Sequence, residues 1–190
     1  MHLSPTTMLS GLLTLSLFLL TSTVRSAPIT ANRLINGLYY VSIQYSDFAA
    51  FADRVPNEPD SPEAQFVVDK YREYIKSQDT SQIVAPQSQV PYSEAAQYAV
   101  LATTHFIVLE DRRFVTALHA KVDSFTREQK KQIYQDLVAQ YPLQKTLFDF
   151  TKAYSPDVND IIVADFGRLN EVLNETVKAF ETRKGGGDGG

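Results

Sequence analysis

Glycine is almost absent from the body of this chain, and that scarcity constrains its fold more than any other feature. Between Ala27 and Lys184, glycine occurs only at Gly37 and Gly167. All-β folds with many tight turns need more glycine than this. Proline instead divides the chain into segments of helical length. The sequence therefore predicts an all-α protein, an irregular bundle of five to six amphipathic helices in one domain.

The first 26 residues differ from the rest and are typical of a secretory signal peptide. Met8–Leu20 is apolar, and Thr21–Ser26 is mostly small and polar. That order matches an apolar region followed by a cleavage site. A transmembrane anchor is the alternative, but it needs ~20 apolar residues. We therefore expect a secreted protein, with residues 27–184 as a single helical domain and residues 185–190 as a disordered Gly-rich tail.

The composition excludes several kinds of function. The chain has no cysteine, which excludes disulfides, thiolate catalysis and cysteine-based metal sites. Loss of Arg25 with the leader leaves 17 Lys and Arg against 22 Asp and Glu, a net charge of −5. The basic residues are scattered among acidic ones. We therefore expect no nucleic-acid partner, no anionic membrane partner and no membrane span in the mature chain.

Apolar spacing and capping residues place the first three helices. An apolar residue recurs every three or four positions from Leu34 to Val55, and Thr30 is a suitable cap. Ser61-Pro62-Glu63 is typical of a second helix start. The stretch Tyr98–Leu109 is apolar nearly all round, which predicts a helix buried on most sides. The alternative for residues 103–118 is a β-hairpin around Asp111, although helix is favoured because the turn lacks Gly or Asn.

Charged and proline residues suggest where the later helices begin and end. Glu110 and Asp111 are a candidate carboxylate pair, but the adjacent Arg112 and Arg113 indicate a solvated charge cluster at a bend. Thr126 and Gln129 form a capping box before a fourth helix. We expect Pro142 to end that helix, with Leu143–Tyr154 as a further short one. Ser155-Pro156-Asp157 predicts the start of the last helix.

No sequence motif for catalysis or metal binding is present. There is no G-x-S-x-G turn, no H-E-x-x-H pair and no Gly-rich phosphate loop. His105 and His119 would lie about 21 Å apart on one helix, too far to share an ion. We interpret His105 as a hydrogen-bonded core residue and His119 as partly exposed. The sequence predicts a non-enzymatic protein with no catalytic residue, metal or cofactor; a hydrolase whose groups assemble in space is the enzymatic alternative.

Asn174-Glu175-Thr176 is an N-glycosylation acceptor, which matters because the chain is expected to enter the secretory pathway. Asn174 falls beside the apolar stripe of the last helix. We therefore expect Asn174 to face solvent.

The chain is rich in Tyr and Phe, whose side chains form either ordinary core or the lining of a cavity for an apolar ligand. The first hypothesis is a secreted carrier or sequestering protein for a fatty acid, a retinoid or another lipid-like ligand. The alternative is a secreted antigen or effector that binds an extracellular protein, with the Leu34–Val55 stripe as an oligomer seam. The candidate lining residues are Tyr45, Phe48, Phe66, Phe106, Phe148 and Phe166.

The segment Val122–Pro142 (VDSFTREQKKQIYQDLVAQYP) resembles small secreted nematode antigens of the SXP/RAL type. The resemblance lies in the capping threonine, the basic and amide run at 129–132 and the terminal proline. Ser93–Gln97 resembles the upstream helix start of that family, and Leu118–Gln129 is loosely similar to nematode fatty-acid- and retinol-binding proteins. These resemblances imply a secreted, cysteine-poor helical protein, and no functional residue is carried over from either family.

Overall fold

A computed structural model of the protein describes residues 30–78 and 91–181. These residues form five α-helices and no strand, so the all-α bundle is confirmed. No helix among them is both long and apolar enough to cross a membrane. The expected leader and Gly-rich tail lie outside the described residues. The helices are α1 (Ala31–Asp53), α2 (Pro62–Ser77), α3 (Glu94–Ala120), α4 (Arg127–Tyr154) and α5 (Asn159–Phe180), with short 3₁₀ turns at Val122–Ser124 and Pro156–Val158.

Side-chain caps fix three of the helix starts where the sequence places them. The hydroxyl of Thr30 accepts a hydrogen bond from the backbone of α1, and the hydroxyl of Ser61 accepts one from α2. Thr126 and Gln129 form the full capping box of α4, with bonds of 3.3 and 2.9 Å. Ser155 makes no such bond, and a 3₁₀ turn precedes α5.

Two expected interruptions are wrong. Residues Glu110 to Arg113 lie inside a continuous α3, and this helix also excludes the hairpin. The charged run does not interrupt the helix, because the side chain of Asp111 turns inward and is hydrogen-bonded there. Pro142 lies within α4 instead of ending it. Gln140 and Gln144, on either side of this proline, both bond to Asp111. These hydrogen bonds to Asp111 hold α4 in helical conformation on both sides of the proline, although proline donates no backbone hydrogen bond.

Helices α1, α3 and α5 run parallel in one layer, with α3 in the middle. Residues about 60 apart in sequence meet between α3 and α5, as in the pairs Gln97–Asp157 and His105–Asp165. The Asp53–Arg113 ion pair joins residues that are also 60 apart in sequence, so α1 and α3 align in the same register as α3 and α5. Helices α2 and α4 run in the opposite direction and pack against one side of this layer. The other side of the layer carries no helix among the described residues.

The core lies between the layer and the α2–α4 pair. Its centre is a cluster of mutually packed aromatic rings, with centroid distances of 4.9–6.4 Å, formed by Tyr45, Phe48, Tyr71, Tyr74 and Phe114. The Leu34–Val55 stripe faces this core. Its first and last residues, Leu34 and Val55, are buried there, and so are its aromatic residues, Tyr45 and Phe48. The stripe is therefore occupied inside the monomer, and it is not an oligomer seam.

We expect Thr126→Ala to lower the free energy of unfolding by about 1 kcal/mol, because it removes the side-chain half of the capping box. Ser93→Ala is the matched control, since Ser93 precedes α3 but makes no side-chain capping bond. Chemical denaturation of both variants provides the measurement. Equal losses in the two variants would contradict the assigned role of the Thr126 hydroxyl.

Candidate functional site

A carboxylate is buried where α2, α3 and α4 meet. Asp111 of α3 is 1% exposed and accepts hydrogen bonds from the amides of Gln140 and Gln144, at 2.8 and 2.9 Å. The hydroxyl of Tyr71 on α2 donates to the Gln140 carbonyl oxygen. Through Gln140, one buried network thus connects α2, α3 and α4. The expected solvated charge cluster is wrong for Asp111, because the sequence pattern around it does not show which side of the helix faces inward.

Burial raises the pKa of Asp111 from its ordinary value of 3.8 to about 7, although hydrogen bonds from Gln140, Gln144 and Tyr45 lower it in part. No cation in the described part of the chain lowers the pKa of Asp111 further. On α4, burial raises the pKa of Asp136 to about 6, against the opposing charges of Arg72 and Lys76. Tyr71 and Tyr74 also face Asp111, and burial raises the pKa of each hydroxyl. The centre can therefore hold a proton near neutral pH.

His105 forms a second polar cluster, at the surface between α3 and α5. Its Nδ1 lies 2.8 Å from a carboxylate oxygen of Asp165, and Arg168 donates to the other oxygen. The carboxylate is buried, and these hydrogen bonds lower the pKa of Asp165 despite that burial. The ring of His105 is half exposed, so its interpretation as a core residue is wrong. His119 is exposed, as expected, and lies 3.4 Å from the Thr176 hydroxyl.

The His105–Asp165 pair resembles the base and the orienting acid of a catalytic triad. Within residues 30–78 and 91–181, however, the imidazole bonds to no hydroxyl that would act as nucleophile. The described residues also contain no cluster of three or more His, Cys, Asp or Glu side chains able to hold a metal ion.

The open side of the helical layer carries large apolar side chains exposed to solvent. On α3, Tyr98, Ala102, Phe106 and Leu109 form one stripe that ends at Arg113. On α1, Tyr39, Ile43, Ser46 and Ala50 form a second stripe, which ends at Asp53. The Asp53–Arg113 ion pair, 3.5 Å long, joins the ends of these two stripes. Ile161 on α5 continues the surface beyond His105, one turn before Asp165.

We call this surface the outer face; its exposed large apolar residues are Tyr39, Ile43, Tyr98, Phe106, Leu109 and Ile161. The three aromatic residues are 53–56% exposed. The expectation that α3 is buried on most sides therefore fails over this face. The apolar composition of Tyr98–Leu109 is genuine, but the chain provides no described helix to cover it.

No protein-family model, curated protein or solved structure matches this chain.

The structure does not bring the six candidate lining residues together. Tyr45 and Phe48 belong to the aromatic core, 6.4 Å apart. Phe148 and Phe166 pack edge to face, at 5.2 Å, beside the smaller cluster between α3 and α5. The two remaining residues are exposed on different helices: Phe66 lies on α2, and Phe106 lies on the outer face. Sequence periodicity finds apolar residues but does not show which of them share a surface.

Asn174 is exposed on α5, as expected, and its side-chain oxygen accepts a hydrogen bond from the Tyr141 hydroxyl. Thr176 of the same acceptor tripeptide is fully buried. Its hydroxyl donates to the Val172 carbonyl at 2.9 Å, beneath α3. The asparagine is therefore accessible in the folded chain, whereas the threonine is not.

We expect the free energy of unfolding to fall as the pH rises from about 4 to about 7. The raised pKa of Asp111 means that the folded chain keeps a proton that the unfolded chain releases, so the contribution of this group to stability is greatest below its unfolded pKa. A shift from 3.8 to about 7 corresponds to a loss of roughly 4 kcal/mol. Denaturation at a series of pH values measures this fall.

Asp111→Asn should remove most of this pH dependence, leaving the smaller contribution of Asp136. The variant and the parent should be similar in stability near pH 4, and the variant should be more stable at pH 8. Asp123→Asn is the control, because the side chain of Asp123 is 99% exposed. A constant difference between Asp111→Asn and the parent across this range would contradict the assignment.

Proposed function

We propose that this chain is a secreted, non-enzymatic binding protein that binds a protein partner through its outer face. The observation that carries the proposal is the set of large apolar side chains exposed on one side of the α1–α3–α5 layer. The largest contiguous apolar patch on the surface of a soluble protein is often an interaction site.

The composition of the outer face is that of a protein interface. Tyrosine and phenylalanine are enriched at such interfaces, which have an apolar centre and a polar rim. Here the centre is formed by the two stripes. Two polar groups border it: the Asp53–Arg113 pair at one end, and the His105–Asp165–Arg168 cluster towards α5.

The openness of the outer face favours a protein partner over a small ligand. Sites for small molecules are concave and bury about 70–90% of the ligand surface. The outer face is the outward side of parallel helices, and no described helix lies across it. A ligand on this face would be covered from one side only, whereas a second protein would cover the face itself.

A lipid-like amphiphile is the second candidate, and the position of His105 favours it. The half-exposed imidazole and the exposed Arg168 guanidinium lie beside the apolar stripe of α3. An acyl chain on that stripe would have its anionic head group near these two side chains. In this second proposal Phe106 contacts the ligand, as the sequence predicts, but the other five candidate lining residues do not.

The proposed export depends on the leader. The non-enzymatic role depends on the absence, among residues 30–78 and 91–181, of a hydroxyl bonded to His105. The likeness to secreted nematode helical proteins is consistent with both. Asn174 is a glycosylation site in this proposal, because it is exposed and the chain enters the secretory pathway.

A photo-crosslinking amino acid at position 106 should capture a protein partner when the full chain is expressed in secreting cells. The same amino acid at position 66 is the matched control, since Phe66 is 44% exposed but lies on α2, away from the outer face. Mass spectrometry of the crosslinked products gives the readout.

Crosslinking at 106 and not at 66 would support the proposal, whereas equal yields at both positions, or none, would contradict it. Native mass spectrometry of the uncrosslinked protein distinguishes the lipid version. A co-purified amphiphile that is lost in Phe106→Glu, but retained in Phe66→Glu, would replace the protein partner by a lipid.

The full chain expressed in mammalian cells should be recovered from the medium, starting at Ala27 and carrying a glycan. Removal of the glycan by an amidase should shift its electrophoretic mobility, and Asn174→Gln should abolish that shift. Recovery only inside the cell, with Met1 retained, would contradict export. A secreted protein without the shift would contradict only the glycosylation of Asn174.

A further inference from the structure

We propose that the partner of the outer face is a second copy of this chain, in a two-fold symmetric dimer. The inference rests on the proposed function, because it requires the outer face to be a binding surface. It adds the identity of the partner.

The size of the outer face matches what a dimer requires. The three aromatic side chains have areas of about 150–250 Å² each, and the three aliphatic ones are somewhat smaller; at 39–56% exposure, the six residues together offer roughly 500 Å² of apolar surface. An interface of standard size takes about 800 Å² from each partner, and homodimer interfaces are about 65% apolar. One outer face therefore holds about the apolar area that each copy contributes to a standard homodimer.

The charges of the outer face permit two copies to meet. Within the two stripes the only ionised side chains are Asp53 and Arg113, and these pair within one chain. Asp165 is likewise bonded to His105 and Arg168 of its own chain. A two-fold dimer brings the same patch of both subunits together, and here that contact would bury no unpaired charge.

Both stripes also contain small residues beside large ones, which leaves space for the side chains of a facing copy. On α3, Ala102 separates Tyr98 from Phe106, and on α1 the small residues Ser46 and Ala50 follow Ile43. An aromatic side chain of the facing copy can enter the space beside each small residue. Interlocking of this kind between helices is what close packing across an interface needs.

Sedimentation equilibrium over a range of concentrations tests the proposal, with the protein purified from the medium, or from cell lysate if it is retained. We expect a reversible monomer–dimer equilibrium. Tyr98→Glu and Phe106→Glu should each raise the dissociation constant of the dimer at least about tenfold, because each places a charge in the apolar centre. Phe66→Glu and Val138→Glu are matched controls on α2 and α4, and should leave it unchanged.

Circular dichroism of each variant confirms that the helices remain, so that a monomer is not mistaken for an unfolded chain. A monomer at every concentration reached would overturn the proposal. A dimer that Tyr98→Glu and Phe106→Glu both leave intact would also overturn it, because the subunits would then meet elsewhere.

The crosslink at position 106 separates failure of this inference from failure of the proposed function. A product of twice the mass of the chain supports both. A crosslink to a different protein, with the purified chain monomeric, overturns the dimer and leaves the proposed function standing. No crosslink and a monomeric chain overturn both.

Discussion

The position of α3 between α1 and α5 is the constraint on which the rest of the structure depends. A helix in the middle of a layer has two flanks covered by neighbours and one side covered by the opposing pair of helices. Its fourth side stays open unless another layer is added. In α3 that fourth side carries Tyr98, Phe106 and Leu109 instead of charged residues. The residue types therefore suit a helix covered on all sides, whereas the described fold covers it on three.

The buried network around Asp111 sets how the helices align. Gln140 donates to Asp111 and accepts from Tyr71, so one side chain ties three helices together at one level. Sliding α4 by one turn would place either Phe148 or Asp136 where one of the two glutamines now lies, so the carboxylate would lose one of its donors. Such a misalignment is costly because a buried polar group without a hydrogen bond loses its solvation. This alignment also lowers the stability of the fold near neutral pH, because burial raises the pKa of Asp111 and makes its ionisation unfavourable.

Local signals in the sequence were sufficient for much of the fold and insufficient for the site. The caps at Thr30, Ser61 and Thr126 act over three residues, so the sequence alone places these starts. The continuity of α4 through Pro142 depends instead on a contact with α3. Grouping Phe106 with Tyr39 depends on the register of two helices that lie far apart in the chain. Periodicity defines the faces of each helix, but not which neighbour covers them.

The same features bear on how a domain without disulfides stays folded. Small exported domains often gain about 2–5 kcal/mol from a disulfide, and this chain has no cysteine to form one. An ionised Asp111 further reduces the stability of the monomer at neutral pH. Any partner that binds only the folded chain raises its stability by mass action. Apolar residues on the outer face, which add little to a lone monomer, would then stabilise the fold by recruiting that partner. Association would thus perform for this chain the task that disulfides perform in many small exported domains.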